Sequence, residues 1–233
     1  MEKRNKIIGL IGGMGPFASA YFYELLLRKS LDICGKKNNK DFPEILIDSV
    51  PVPDFISNTN EINRAKDMLI DRVKRLNKYG VDSISMICNT GHILYDDLAQ
   101  ISKSNFESLI KVVANEAFKR KYKKVGILAT PMTIKYDLYG IELLKYNIQT
   151  VYSNKNIQKL HESVIRDMVG GQKDDKKIEK LEIETKKLIK DNSLDGIILA
   201  CTELPLVFPK DKFKNVIDCM DILADKLLER YYN

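Results

Sequence analysis

Residues 81–92 read VDSISMICNTGH, and residues 194–205 read LDGIILACTELP. Aligned on Cys88 and Cys201, Asp82 falls on Asp195 and Ile84 on Ile197. Polar side chains follow each thiol: Asn89 and Thr90 in one copy, Thr202 and Glu203 in the other. The match extends outward. Upstream, Lys6-Ile7-Ile8-Gly9-Leu10-Ile11 is answered by Lys123-Lys124-Val125-Gly126-Ile127-Leu128. Downstream, Leu109-Ile110-Lys111-Val112 lies where Val216-Ile217-Asp218-Cys219 lies in the second copy. A repeat spanning the two halves of a 233-residue chain predicts two similar α/β units related by a pseudo-two-fold axis. Each unit carries one thiol at the carboxyl end of a buried strand, where open α/β sheets place their ligand crevice. Two acid/base thiols across one cleft suit a reaction that removes a proton from one face of a carbon and returns it to the other.

Strand-like and helix-like stretches alternate along the chain. Ile7–Ile11, Ile45–Val50 and Ser83–Cys88 are short, apolar and rich in branched residues, as buried parallel strands are. Between them, Phe17–Ser30 and Ile62–Tyr79 carry helix-spaced apolar residues. The second half repeats the scheme, with strands at Val125–Ala129, Ile148–Tyr152 and Gly196–Ala200. Its helices are expected near Tyr136–Tyr146, Ile157–Met168 and Lys176–Lys190. A last strand, Asn215–Ile217, leads into a helix over Asp221–Tyr231. Regular alternation predicts right-handed crossovers and two doubly wound parallel sheets with the active site in the cleft between them.

Composition narrows the function classes. The net charge of +6 comes from scattered lysines, and tryptophan is absent, so the basic stripe with interleaved aromatics that nucleic-acid binding needs is missing. No segment approaches the roughly 20 apolar residues of a membrane span. The basic start, Met1 to Lys6, precedes an apolar run too short for a secretory h-region. The expected location is the cytoplasm, where thiols stay reduced. The four cysteines show no C-x-x-C spacing, so neither a zinc ribbon nor a redox dithiol is indicated.

Cys34 and Cys219 read as core residues, because a buried free cysteine packs as a small hydrophobe. Cys88 and Cys201 differ: each ends a strand and precedes polar residues, in reach of the unpaired amides of a following helix, which favour thiolate. Gly12-Gly13-Met14-Gly15-Pro16 follows the first strand directly. It formally fits the dinucleotide fingerprint, but the acidic residue expected about 20 positions on is missing, since Asp48 lies considerably further away. The other reading of the turn is access for a bound carboxylate to backbone amides. In the second half Thr130 and Thr133 take the corresponding place with hydroxyls. Of the two histidines, His92 lies four residues past Cys88, to tune the thiol or to cap and pack, and His161 reads as structural or solvated. A zinc site from Cys88, His92 and Cys201 is conceivable, but no spacing singles it out.

IGLIGGMGP near the start, CNTGH at Cys88–His92, GILATPMT at Gly126–Thr133 and ACTELPL at Ala200–Leu206 together resemble the aspartate/glutamate racemase family over essentially the whole chain. The resemblance implies racemisation of an acidic amino acid, aspartate first and glutamate next, in a homodimer. It implies no requirement for pyridoxal phosphate, metal or nucleotide. It implies that Cys88 serves the D-enantiomer and Cys201 the L-enantiomer. Met14, Asn89, Thr90, Thr130 and Thr202 would hold the substrate, with Lys159 against a carboxylate. It also implies that the C-terminal segment packs back on the first unit, giving residues 1–108 plus 215–233 as one domain and 109–214 as the other. One departure stands out: aspartate racemases often carry an arginine after the Pro-Asp that follows the second strand, and here Pro53-Asp54 is followed by Phe55. Two other functions fit the same residues: an isomerase or decarboxylase of a small dicarboxylic acid, or a non-catalytic module binding a small molecule or dinucleotide.

Overall fold

The computed structural model describes residues 6–35, 38–54, 56, 58 and 60–233, apart from the side chain of Cys34. Phe55 lies outside the described residues, as does the side chain on which the core reading of Cys34 rests. The first half runs β1 (Ile7–Gly12), α1 (Pro16–Cys34), β2 (Glu44–Ser49), α2 (Ile62–Tyr79), β3 (Ser83–Met86), α3 (Tyr95–Ile101), β4 (Asn105–Glu107) and α4 (Leu109–Lys119). The second runs β5 (Lys124–Ala129), α5 (Pro131–Lys135), α6 (Leu138–Leu144), β6 (Gln149–Tyr152), α7 (Lys155–Val169), α8 (Asp175–Asn192), β7 (Gly196–Ala200), β8 (Val216–Asp218) and α9 (Cys219–Tyr232). Both sheets are parallel and four-stranded, in the orders β2-β1-β3-β4 and β6-β5-β7-β8, so the repeat in the sequence is a repeat of topology.

The paired aspartates have a structural role. Asp82 accepts the Ile7 amide at 2.7 Å, and its own amide donates to the Ile7 carbonyl. Asp195 does the same at the head of β5, accepting the Lys123 and Lys124 amides at 2.6 and 2.8 Å. Each aspartate thereby sets the register of its thiol-bearing strand against the central strand of its sheet.

Side chains of each sheet alternate between a shared interior and an outer core of their own half. Ile8 and Leu10 of β1 face α1, while Ile7 and Ile11 face α2. In the second half Ile198 and Ala200 of β7 face the shared interior and Ile197 and Leu199 face α7 and α8. The shared interior is built by an exchange of helices: α4 packs on α6 of the other half, α9 packs on α1, and α4 and α9 pack on each other. No separate linker is needed, since the halves hold one continuous core.

Three expectations shift. β8 is an edge strand of the second sheet, so the return to the first unit expected from Asn215 is made by α9. The stretch Leu109–Val112 begins α4, and the counterpart of β8 is β4, with Ser108 and Asp218 as equivalent N-caps. A short branched apolar run fits a buried helix face as well as a strand, and periodicity alone does not separate them. The helix expected over Tyr136–Tyr146 is the shorter α6, which starts only after its N-cap Asp137 at φ +48°, with α5 a separate turn before it.

His161 of α7 is fully buried, and among the described residues neither ring nitrogen has a hydrogen-bond partner. Burial holds it neutral, lowering its pKa to about 4. Each unsatisfied buried polar group costs about 1–3 kcal/mol. His161→Leu is therefore expected to stabilise the fold, with a Tm higher by about 2–4 °C per kcal/mol gained. Between pH 6.5 and about 4 the unfolded chain binds a proton at His161 that the native chain does not, so stability falls as pH falls through that window. The substitution should flatten that slope by at most about 3 kcal/mol in total. Denaturant titrations of both proteins at pH 4.5 and 7.5 check it.

Candidate active site

In each sheet the crossovers leave the two central strands in opposite directions, which opens a crevice at their carboxyl ends. β1 and β3 deliver the glycine turn and Cys88 there; β5 and β7 deliver Thr130 and Cys201. The two crevices meet in one cavity of about 230 Å³. Cys88, Cys201, Met14, Asn89, Thr90, Thr130 and Thr202 all line it. Lys159 does not: it is exposed on α7, about two helical turns before Arg166, which does line the cavity. Glu203, Asp54 and Arg166 complete the polar lining, and Val52, Pro53, Ile56 and Val169 supply an apolar wall.

Cys88 accepts the Gly91 amide at 3.3 Å. Burial pushes its thiol up to about 12, Glu203 adds to the rise, and the Gly91 and Thr90 amides only partly oppose it. The thiolate stabilisation expected from a following helix is present but outweighed by desolvation. Cys201 donates to Oε2 of Glu203 at 3.0 Å. Burial raises its pKa well above the ordinary thiol value, with the Glu203 carboxylate and Cys88 acting in the same direction.

Glu203 is buried, and burial raises its carboxyl above the usual range. Oε2 also takes the Thr202 hydroxyl at 3.1 Å, while Oε1 has no hydrogen-bond partner among the described residues. The glycine turn serves this carboxylate. Gly15 has φ +100°, and a Cβ there would fall on Oε1 of Glu203. Gly13, at φ +88°, passes so close to the next loop that a Cβ would meet the Val50 backbone at 2.6 Å. The Gly13 amide is donated to Ser19 Oγ at 3.0 Å, so it is engaged within the turn and not directed to an anion.

Asn89 and Thr90 are held from behind. Asn89 Oδ1 accepts the Tyr139 hydroxyl at 2.6 Å, and Nδ2 donates to the buried Cys219 sulfur at 3.4 Å. Thr90, Thr130 and Thr133 form a triangle of hydroxyls across the two halves, at 2.8, 3.2 and 2.9 Å. His92 has a defined tautomer. The Leu109 N–H can only donate, so Nε2 accepts at 3.0 Å, and Nδ1 carries the proton it gives to the Cys88 carbonyl at 2.8 Å. Burial lowers its pKa to about 4. With both nitrogens committed, His92 ties the end of the Cys88 strand to the start of α4 and is neither base nor metal ligand. Among the described residues no cluster of three or more His, Cys, Asp or Glu is placed to hold a metal.

Glu203 and Arg166 were not among the residues expected to bind substrate. Glu203 had a signal: a lone carboxylate in the apolar run ACTELPLVF. Arg166 had none, because a charge on a helix that also carries Lys155, Lys159 and Glu162 is ordinary.

Two parallel four-stranded sheets with flanking helices match the structures of two-domain α/β racemases, and a racemase is an isomerase. The chain belongs to the Asp/Glu/Hydantoin racemase family, whose model matches residues 11–227. It is 27% identical to the broad specificity amino-acid racemase RacX of Bacillus subtilis (strain 168), over 97% of this chain and 98% of that protein. Among solved structures it is similar to an aspartate racemase homologue from Pyrococcus horikoshii OT3. That structure is 29% identical with a TM-score of 0.82, covering 98% of this chain and 100% of the other. The Picrophilus torridus aspartate racemase is 28% identical with a TM-score of 0.76, covering 98% and 95%. Among the described residues no helix is long and apolar enough to cross a membrane.

Proposed function

We propose that the chain interconverts the L- and D-enantiomers of an acidic amino acid, aspartate first and glutamate next, by a two-cysteine, two-base reaction needing no pyridoxal phosphate or metal. The observation that carries the reading is the single cavity into which the two halves each deliver a thiol from the same place in the same topology. For the L-enantiomer, Cys201 thiolate takes the Cα proton: the C–H bond breaks, an S–H bond forms, and the electron pair delocalises into the carboxylate. Cys88 then gives its thiol proton to the opposite face and is left as thiolate. For the D-enantiomer the roles reverse. Glu203 Oε2, at 3.0 Å from the Cys201 sulfur, is the acceptor that converts this buried thiol to thiolate. The substrate's ammonium supplies a positive charge that favours thiolate in a cavity that otherwise disfavours it. The enzyme works as a cytoplasmic homodimer in this reading, the compartment following from the reduced thiols its chemistry needs.

The test is incubation of the pure protein with each L-amino acid, with chelator present and pyridoxal phosphate absent, followed by chiral chromatography. D-Aspartate or D-glutamate is expected as the main product. No D-enantiomer from any amino acid would overturn the reading. Turnover of a small dicarboxylic acid in its place would move the chemistry to an isomerase or decarboxylase on the same fold.

A further inference from the structure

Among the described residues lining the cavity, Arg166 is the only lysine or arginine. Its guanidinium already grips a carboxylate, and that carboxylate comes from the opposite half of the molecule: Nη1 donates to Asp54 Oδ2 at 2.9 Å. One turn back on α7, Glu162 accepts from Nε at 3.0 Å and fixes the plane of the fork. Asp54 is held in turn by the Ile56 amide, which donates to Oδ1 at 2.9 Å. One turn further along, Val169 also lines the cavity, so this face of α7 is cavity wall. The Arg166 and Asp54 side chains are 44% and 52% exposed, placing the pair at the mouth. An ion pair this exposed contributes little net stability and is readily exchanged for another of better geometry.

We propose that Arg166 is the specificity-determining residue for the substrate's side-chain carboxylate, and that Asp54 is an internal competitor which that carboxylate displaces. The inference rests on the acidic-substrate reading above and names the group that would recognise it. A dicarboxylic amino acid carries one negative charge that its own ammonium does not offset. With Glu203 and Asp54 as the other charged side chains in the lining, Arg166 is the group that can meet it. A planar fork matches a carboxylate bidentately, and α7 supplies it from the half opposite to Asp54.

The competitor gives the proposal its test, because a fork that binds substrate and a clasp that joins two halves predict different signs. Succinate, a dicarboxylate without an ammonium, is titrated calorimetrically into the full-length wild type, Arg166→Gln, Arg166→Lys and Asp54→Asn. L-Aspartate KM and kcat are measured beside it. Arg166→Gln is expected to weaken succinate and raise KM roughly 10- to 100-fold, with kcat changed far less. Arg166→Lys should fall between, and Asp54→Asn should tighten succinate about 2- to 5-fold. Equal succinate affinity in wild type and Arg166→Gln would overturn the proposal, as would Arg166→Gln and Asp54→Asn weakening it alike, or a wild type that does not bind succinate at millimolar concentration. Opposite shifts in succinate affinity from a protein that racemises nothing would leave this carboxylate site standing and reject the racemase reading alone.

Discussion

L-Aspartate incubated in heavy water with the Cys201→Ser variant is expected to keep its α-hydrogen, while D-aspartate exchanges its own slowly through Cys88. A serine hydroxyl is far less acidic than a thiol, whose ordinary pKa is near 8.5, so it cannot serve as the base on the L side. Loss of a positioned acid/base group costs about 10²–10⁴ in rate, and racemisation in both directions should fall by at least that, because each direction needs both groups. Cys88→Ser should give the mirror result, with exchange retained on the L-enantiomer. In the wild type, D-product formed from L-substrate should carry deuterium from the first turnover, since the hydrogen delivered comes from a thiol and not from the substrate. Proton NMR of the α-hydrogen with chiral separation reads all of this. A single mutant that still racemises near the wild-type rate would show that its cysteine is not an obligatory base.

Glu203→Gln is expected to lower kcat from the L-enantiomer by about 10²- to 10³-fold with KM nearly unchanged. The amide keeps the shape of the side chain and its contact with Thr202, but it cannot take the proton that Cys201 gives to Oε2. The pH dependence carries the signature. Burial raises the Glu203 carboxyl above the ordinary carboxylate range, and it must be ionised to accept. Activity from the L side should therefore fall as pH drops through that raised value, and the glutamine variant should lose this acid limb. Gly15→Ala should reproduce the defect with the carboxylate intact, because an added Cβ would fall on Oε1 and forces a φ of +100° on alanine. An unchanged acid limb in Glu203→Gln would remove Glu203 from the proton path.

Much of this could be read from residue spacing. The repeat around Cys88 and Cys201, the repeated aspartates and the short branched strands all register local constraints. A parallel strand buried on both faces demands an apolar run, and the amide at the head of a central strand demands an acceptor. Such demands fall on neighbours in sequence, so their pattern survives in one dimension. The glycine turn was legible as a tight turn, though its reason was not: the atom that excludes a Cβ at Gly15 is Oε1 of Glu203, 188 positions away along the chain. Nor did helix-spaced residues reveal that α6 begins only after Asp137.

By itself the sequence determined the two-unit parallel architecture, the two thiols, the polar residues after them and the family to which the chain belongs. Only the tertiary structure decided the state of those groups. Cys88 has its thiol pushed up to about 12 because burial from both halves outweighs the amides beside it. His92 is committed at both nitrogens because α4 passes behind the Cys88 strand. Lys159 and Arg166 are both cations on α7, and only the packing of that helix against the cleft puts one in solvent and the other at the mouth. Charge state, hydrogen-bond commitment and access all depend on what lies across a cleft, and contacts between distant segments leave no periodic trace in the chain that makes them.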